Sequence, residues 1–187
     1  MRYFLGLLIG LGLIILFIIL LVRLIFGGGG EQQKPKTDLL TYSDTNVVMR
    51  LLIDGPINAD QDHRRIQIDV SDTMNELSLL TGYQGNVQKT QSFASNSSAY
   101  ANFLRAIDLQ GYTQGKDSKD LTDERGFCPG GNRYIFEIVD GANIKQRYWS
   151  TSCGGTKSFD GQVPVILNLF KAQIPGYTQQ VAGFGLE

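Results

Sequence analysis

Residues 133–150 read RYIFEIVDGANIKQRYWS, and this stretch decides the fold. Two runs rich in β-branched and aromatic side chains flank Asp140-Gly141-Ala142, a turn signal. Together they predict a hairpin. Pairing Ile138 with Ile144 sets Tyr134 opposite Tyr148 and Glu137 opposite Lys145. Apolar pairs then share one face and a charge pair takes the other, as cross-strand energetics prefer. Continued backward, this register sets Cys128 opposite Gly154, one residue from Cys153, and Pro129-Gly130-Gly131 can absorb the slip. Cross-strand neighbours lie about 4.5–5.5 Å apart, within disulfide reach. The chain has 2 cysteines, so the expectation is one disulfide, Cys128 to Cys153.

An earlier segment reads in the same way. Residues 46–57 hold the strand candidate VVMRLLI, ended by Asp54-Gly55-Pro56. Ile66, Ile68 and Val70 alternate with Arg65, Gln67 and Asp69, the pattern of a half-buried strand. A turn at 71–75, a return at 76–80, a break at Gly82-Tyr83-Gln84-Gly85 and a run at 87–93 complete the strand set. Asn96 or Ser97 caps a helix to about Gln110, with Tyr100, Phe103, Leu104 and Ile107 on one stripe and Gly111 as its stop. A last helix opens at Asp160 or Gly161, carries Pro164 in its first turn and ends at Pro175-Gly176.

The two hairpin–helix segments, about 64–114 and 132–179, resemble one another. NFLRAIDLQGYTQ at 102–114 aligns with NLFKAQIPGYTQ at 168–179 after one deletion. Ile66, Ile68 and Val70 fall on Tyr134, Phe136 and Ile138. A single such unit is too small to be stable alone. The expected fold class is therefore α+β: a two-layer domain, an antiparallel sheet with two helices on one face, built from duplicated units related by a pseudo-twofold.

Upstream, residues 4–26 read FLGLLIGLGLIILFIILLVRLIF, of which 19 of 23 are Leu, Ile, Phe or Val. Such residues favour bilayer insertion by roughly 0.3–0.6 kcal/mol each, whereas Arg23 near one end opposes it by at most about 3 kcal/mol. Insertion wins, and at 1.5 Å per residue the stretch to Val22 spans about 28 Å, close to a hydrocarbon core. The organisation expected is a transmembrane helix over 3–26, a flexible linker over 27–45 opening with GGGGEQQKPKT, and a soluble domain over 46–187. A cleaved signal peptide is the alternative, but its apolar core is shorter, about 7–15 residues. Gly6 and Gly10 form a GxxxG pattern that permits weak homodimerisation through the helix; glycine is also simply common in such helices.

Setting aside Arg2 and Arg23 leaves 15 basic against 18 acidic side chains. No basic field is present to attract nucleic acid. The charge run KDSKDLTDER at 116–125 reads as a solvated loop. No recognisable catalytic constellation occurs, and neither a cofactor nor a metal is expected. The one histidine, His63, follows Asp60 and Asp62, but the spacing does not fit a calcium loop and reads as a polar hairpin loop. Two cysteines and a distant histidine lack zinc-ligand spacing. Asn96-Ser97-Ser98 is formally a glycosylation sequon that helix capping also explains.

The anchor, the GGGG tether, Gly111-Tyr112-Thr113 and the Cys128–Cys153 hairpin give the chain a layout that resembles small single-pass envelope proteins of reduced-genome bacteria. The resemblance implies location and layout and carries no activity. A disulfide needs an oxidising compartment, which sets the domain outside the cytoplasm, although the flanking charges Arg2, Arg23, Lys34 and Lys36 do not decide orientation. The expectation is a non-enzymatic, membrane-tethered extracytoplasmic binding or envelope-structural module. Its partners would be the lipid bilayer and an envelope protein or wall polymer. The rivals are an envelope hydrolase using Asp60, Asp62 or Asp69, and a cytoplasm-facing adaptor with reduced cysteines. The anchor predicts that the full-length protein stays in the membrane fraction through alkaline carbonate washing; a soluble form starting near residues 28–31 would show cleavage instead.

Overall fold

The computed structural model describes residues 38–186, together with Gly12, Leu16 and Phe17, which are helical and exposed. Two units divide the chain, Met1–Lys36 and Thr37–Glu187. The rest of the expected span over 3–26, Gly6 and Gly10 included, lies outside the described residues. Among the described residues no helix is long and apolar enough to cross a membrane.

The second unit is α+β. Six antiparallel strands form one sheet in the order β4-β3-β2-β1-β5-β6. They are β1 Val47–Asp54, β2 Arg64–Val70, β3 Met74–Thr81, β4 Asn86–Ala94, β5 Arg133–Asp140 and β6 Asn143–Thr151. Helices α1 Ser97–Leu109, α2 Val163–Lys171 and α3 Tyr177–Val181 complete the domain. β1 is central. Its residues Met49, Leu51 and Ile53 each lie between a β2 and a β5 neighbour: Val70 and Ile138, Ile68 and Phe136, Ile66 and Tyr134. These side chains and those of Tyr100, Phe103, Leu104, Ile107, Ile166 and Phe170 form one core. Both long helices therefore cover the same face, and Phe103 meets Phe170 edge to face at 5.1 Å. Asn96 caps α1 by accepting from the Ala99 amide at 2.9 Å.

Four expectations need correction. First, residues 38–45 belong to the folded unit rather than the tether. Leu39, in the 3-10 turn Leu39–Tyr42, is fully buried in the core, and Asp38 caps that turn. Second, the β5–β6 register differs from the expected one. Glu137 faces Arg147, Phe136 faces Tyr148 and Tyr134 faces Ser150. Gly141 at φ +58° allows a two-residue turn between Asp140 and Asn143, and a bulge between Ile138 and Val139 shifts the rest by one residue. Third, the last helix stops at Lys171; Gly176 at φ +63° then opens the separate short helix α3.

Fourth, the pseudo-twofold is absent. β2 and β5 are both antiparallel to β1 on opposite sides of it, so they run in the same direction. A twofold axis normal to the sheet would reverse one against the other. The shared Gly-Tyr-Thr-Gln also has two fates. Tyr112 is fully buried, whereas Tyr177 starts α3 and is only partly buried.

The opposite face of the sheet carries one polar row across six strands, charged on five of them: Ser92, Glu76, Asp69, Arg50, Glu137 and Arg147. Part of that face is covered. The segment between α1 and β5, expected to be a solvated loop, straps over β5 and β6. Trp149 is fully buried there, its indole N–H donates to the Leu121 carbonyl at 2.6 Å, and its ring lies 4.8 Å from Phe127. Glu124, in the charge run, is 8% exposed and accepts two bonds from Arg147 at 2.8 and 2.7 Å.

Tyr112 ties the two layers together. Its hydroxyl reaches the carbonyls of Arg50 at 3.0 Å and Glu137 at 2.9 Å, across the β1–β5 pair. Tyr112→Phe should cost about 1–1.5 kcal/mol. Urea unfolding followed by Trp149, the chain's single tryptophan, reads this out. An unchanged midpoint would mean that the strands alone satisfy both carbonyls.

Candidate functional site

Two places gather chemistry-bearing side chains. The first is the end of β1, where Asp54 is 8% exposed. Its carboxylate accepts from His63 Nε2 at 2.8 Å and Arg133 Nε at 2.9 Å, and Arg65 Nε lies 3.2 Å away. Arg133 is 1% exposed, and its second nitrogen donates to the Gly55 carbonyl. His63 is fully buried, stacks on Tyr83 at 4.1 Å, and sets Nδ1 3.0 Å from the Pro56 carbonyl. Both ring nitrogens thus face acceptors. The polar-loop reading of His63 is corrected: the ring turns inward and pins the 55–63 connection to the sheet.

This cluster has no exposed reactive group, so its chemistry is that of a clamp. Breaking a buried ion pair by removing one partner costs far more than the intact pair contributes, because a buried charge is left uncompensated.

Of the candidate hydrolase carboxylates, Asp60 and Asp62 share one 3-10 turn, whereas Asp69 lies on β2. Asp60 accepts from the Tyr83 amide at 2.7 Å. Asp62 is exposed in a 3-10 turn. Asp69 is held by Arg50 at 2.8 and 2.9 Å and by Gln67 at 3.0 Å. Among the described residues no group of three His, Cys, Asp or Glu side chains is placed to hold a metal. In the same charged row, burial pushes the Glu137 carboxyl up, against the opposing pull of Arg147 and Arg50. The hydrogen bond to Asp69 pushes Arg50 up. Burial pushes the Tyr177 hydroxyl up to about 12.

The second place is a half-open cavity of about 540 Å³ beside the first turn of α2, with Ser152, Gly154, Gly155 and Pro164 exposed at its rim. Tyr134 and Ser150, a facing pair on the core side of the sheet, form its floor. Thr151, Ser152, Gly154, Gly155 and Lys157 form one wall, and Val163, Pro164 and Leu167 the other. The polar wall is the loop that leaves β6. Its two ends are fixed. At the start, Ser152 Oγ accepts from the Asn132 amide at 2.9 Å. Cys128 and Cys153 lie beside it at disulfide distance, with Cα atoms 5.7 Å apart. At the end, the Ser158 and Phe159 amides both donate to the Trp149 carbonyl, at 3.1 and 2.9 Å. Phe159 then stacks on Phe136 at 4.2 Å.

Sequence reasoning took Cys128 and Cys153 from this region and missed the cavity between them and α2. The available signal was Thr151-Ser152-Cys153-Gly154-Gly155-Thr156-Lys157, a glycine-rich run carrying hydroxyls and one cation. Asp54 was legible only as a turn residue, because its partners Arg65 and Arg133 lie on other strands.

The clamp makes a quantitative expectation. Asp54→Ala should destabilise the domain by about 3–5 kcal/mol, since Arg133 would remain buried without its partner. Asp123→Ala, at an exposed pair with Arg125, should leave the unfolding midpoint in place. Equal effects of the two substitutions in urea unfolding would remove the clamp reading.

No protein family matches the chain, and no curated protein matches it, so its functional reading rests on the geometry of these two places.

Proposed function

We propose that the protein is a membrane-tethered binding or envelope-structural module, held by a single transmembrane helix over 3–26 with its domain outside the cytoplasm, and that it is not an enzyme. One observation carries the binding half of this reading. The cavity under α2 presents hydroxyls, one ammonium group and an apolar wall, with no carboxylate or imidazole among its lining residues. A few polar groups on an otherwise apolar surface fit recognition, whereas hydrolysis needs a positioned acid or base. Of the carboxylates that a hydrolase would use, Asp69 is bound into an ion pair and Asp60 into a turn contact.

Location rests on two supports. The apolar segment over 4–26 is long enough to span a bilayer. The Cys128–Cys153 geometry suits a disulfide, which persists in oxidising compartments. The bilayer is the first partner, and an envelope protein or wall polymer the second. Gly6 and Gly10 offer a weak homodimer contact between helices.

Protease shaving of intact cells tests location directly. With a tag fused at Glu187, the tag should be lost from intact cells, and a pull-down from native membranes should recover an envelope component. Full protection of the tag until lysis would favour the cytoplasm-facing adaptor, and readily alkylated thiols at Cys128 and Cys153 would point the same way.

A further inference from the structure

We infer that the cavity under α2 binds a small organic anion, its oxyanion held by Lys157 and the Ser150 hydroxyl and its compact apolar body lying along Val163, Pro164 and Leu167. This inference rests on the binding-module reading and names the ligand class for it.

The sign of the ligand charge comes from the lining. Lys157 is the single charged residue that lines the cavity, and among the described residues its ammonium makes no ion pair. The first turn of α2 holds no acid. Asp160, near in sequence, faces Lys116 at 3.9 Å instead. A lysine lining a cavity without a carboxylate favours an anion there.

The second observation is a hydroxyl that opens onto the cavity. Ser150 lines the cavity and makes no side-chain hydrogen bond among the described residues. Its Oγ is therefore a donor free to meet a ligand oxygen. The neighbouring hydroxyls are already engaged: Thr151 donates to the Gly154 carbonyl at 3.4 Å, and Ser152 accepts from Asn132. The amides of Gly154, Gly155, Thr156 and Lys157 make no hydrogen bond among the described residues either, so the same loop has further donors.

The apolar body follows from the opposite wall. Val163 and Leu167 are only partly buried and pack on the edge of the core. Pro164 offers no N–H there. A bare inorganic ion would leave this wall wet, whereas an organic group dries it. The volume, about 540 Å³, lies within the range of small-molecule sites, roughly 300–1,000 Å³. The oxyanion is a carboxylate or a phosphomonoester, and the probes separate these two sources.

The test titrates full-length protein in detergent with four probes: 4-phenylbutanoate, 3-phenylpropyl phosphate, 4-phenylbutanamide and inorganic phosphate. Protein-free detergent serves as the reference for partition into micelles. At least one organic anion should bind saturably, with the amide and inorganic phosphate about tenfold weaker or more. The better of the two anions identifies the head group. Lys157→Gln should weaken that anion about tenfold, Lys157→Arg should restore most of the loss, and Ser150→Ala should weaken it further. Lys157 lies on a surface loop, so folding of the variant is checked by an unchanged Trp149 emission spectrum. Equal binding of the amide and the acid overturns the anion assignment, and equal binding of inorganic phosphate overturns the apolar body. No binding by either organic anion overturns the ligand class, while the membrane pull-down reports separately on the binding module.

Discussion

The alternation of β1 sets both faces of the domain. Val47–Asp54 is held from both sides: it pairs with β2 on one edge and β5 on the other. Met49, Leu51 and Ile53 face the helices, so the residues between them must face away. Arg50 therefore stands at the centre of the opposite face, between Asp69 and Glu137. Slipping β1 by one residue would put Arg50 in the core and Leu51 in the charged row. The identity of its neighbours punishes that slip twice, once by burying a charge and once by exposing a leucine. Asp54 at the strand end adds a third constraint, because its buried partners Arg133 and His63 exist only in this register.

What could be read from the sequence follows the range of the interactions. Strand positions, α1 and its Asn96 cap were legible because they depend on alternation, helical spacing and one local hydrogen bond. The proximity of Cys128 and Cys153 was legible because both flank one hairpin, and it survives a register error of two residues. The register itself was not legible. Tyr134 opposite Tyr148 and Tyr134 opposite Ser150 are both chemically sensible, and the two-residue turn and a bulge together chose between them. The burial of Leu39 and Glu124 was hidden for a different reason. Each sits in a polar stretch whose composition describes a solvated loop, and each is buried by an element distant in sequence. The cavity under α2 was hidden in the same sense, since its two walls are separated by the turn that includes Phe159.

Charge on the sheet's helix-free face is largely neutralised where it stands. Arg50 meets Asp69 and lies 3.8 Å from Glu137, while Arg147 meets Glu137 and Glu124. Partly buried pairs of this kind contribute little net stability against a well-packed apolar alternative, yet an unpaired member would be costly. The row thus enforces pairing between strands more than it adds strength. Glu137 shows the tension: burial pushes its carboxyl up while two arginines pull it down. A ligand arriving on this face would have to displace existing partners. A ligand arriving under α2 would not, because Lys157 and Ser150 lack partners among the described residues.

Trp149 connects these two sides. Its side chain is locked on the helix-free face, beneath Phe127 and the Leu121 carbonyl. Its main chain holds the other side: the amide donates to Ser158 Oγ at 2.8 Å, and the carbonyl accepts from Ser158 and Phe159. Lys157 precedes that clamp by one residue, so its position depends on where Trp149 sits. The strap over β5 and β6 therefore fixes the far end of the cavity loop, while the Cys128–Cys153 pair fixes its near end. Between these points lie Gly154 and Gly155, whose φ values of +73° and +80° a side chain would strain. Both ends of the loop are thus tied to the sheet, one through the cysteine pair and one through the Trp149 main chain, so Lys157 is placed by tertiary contacts and not by its own glycine-rich sequence.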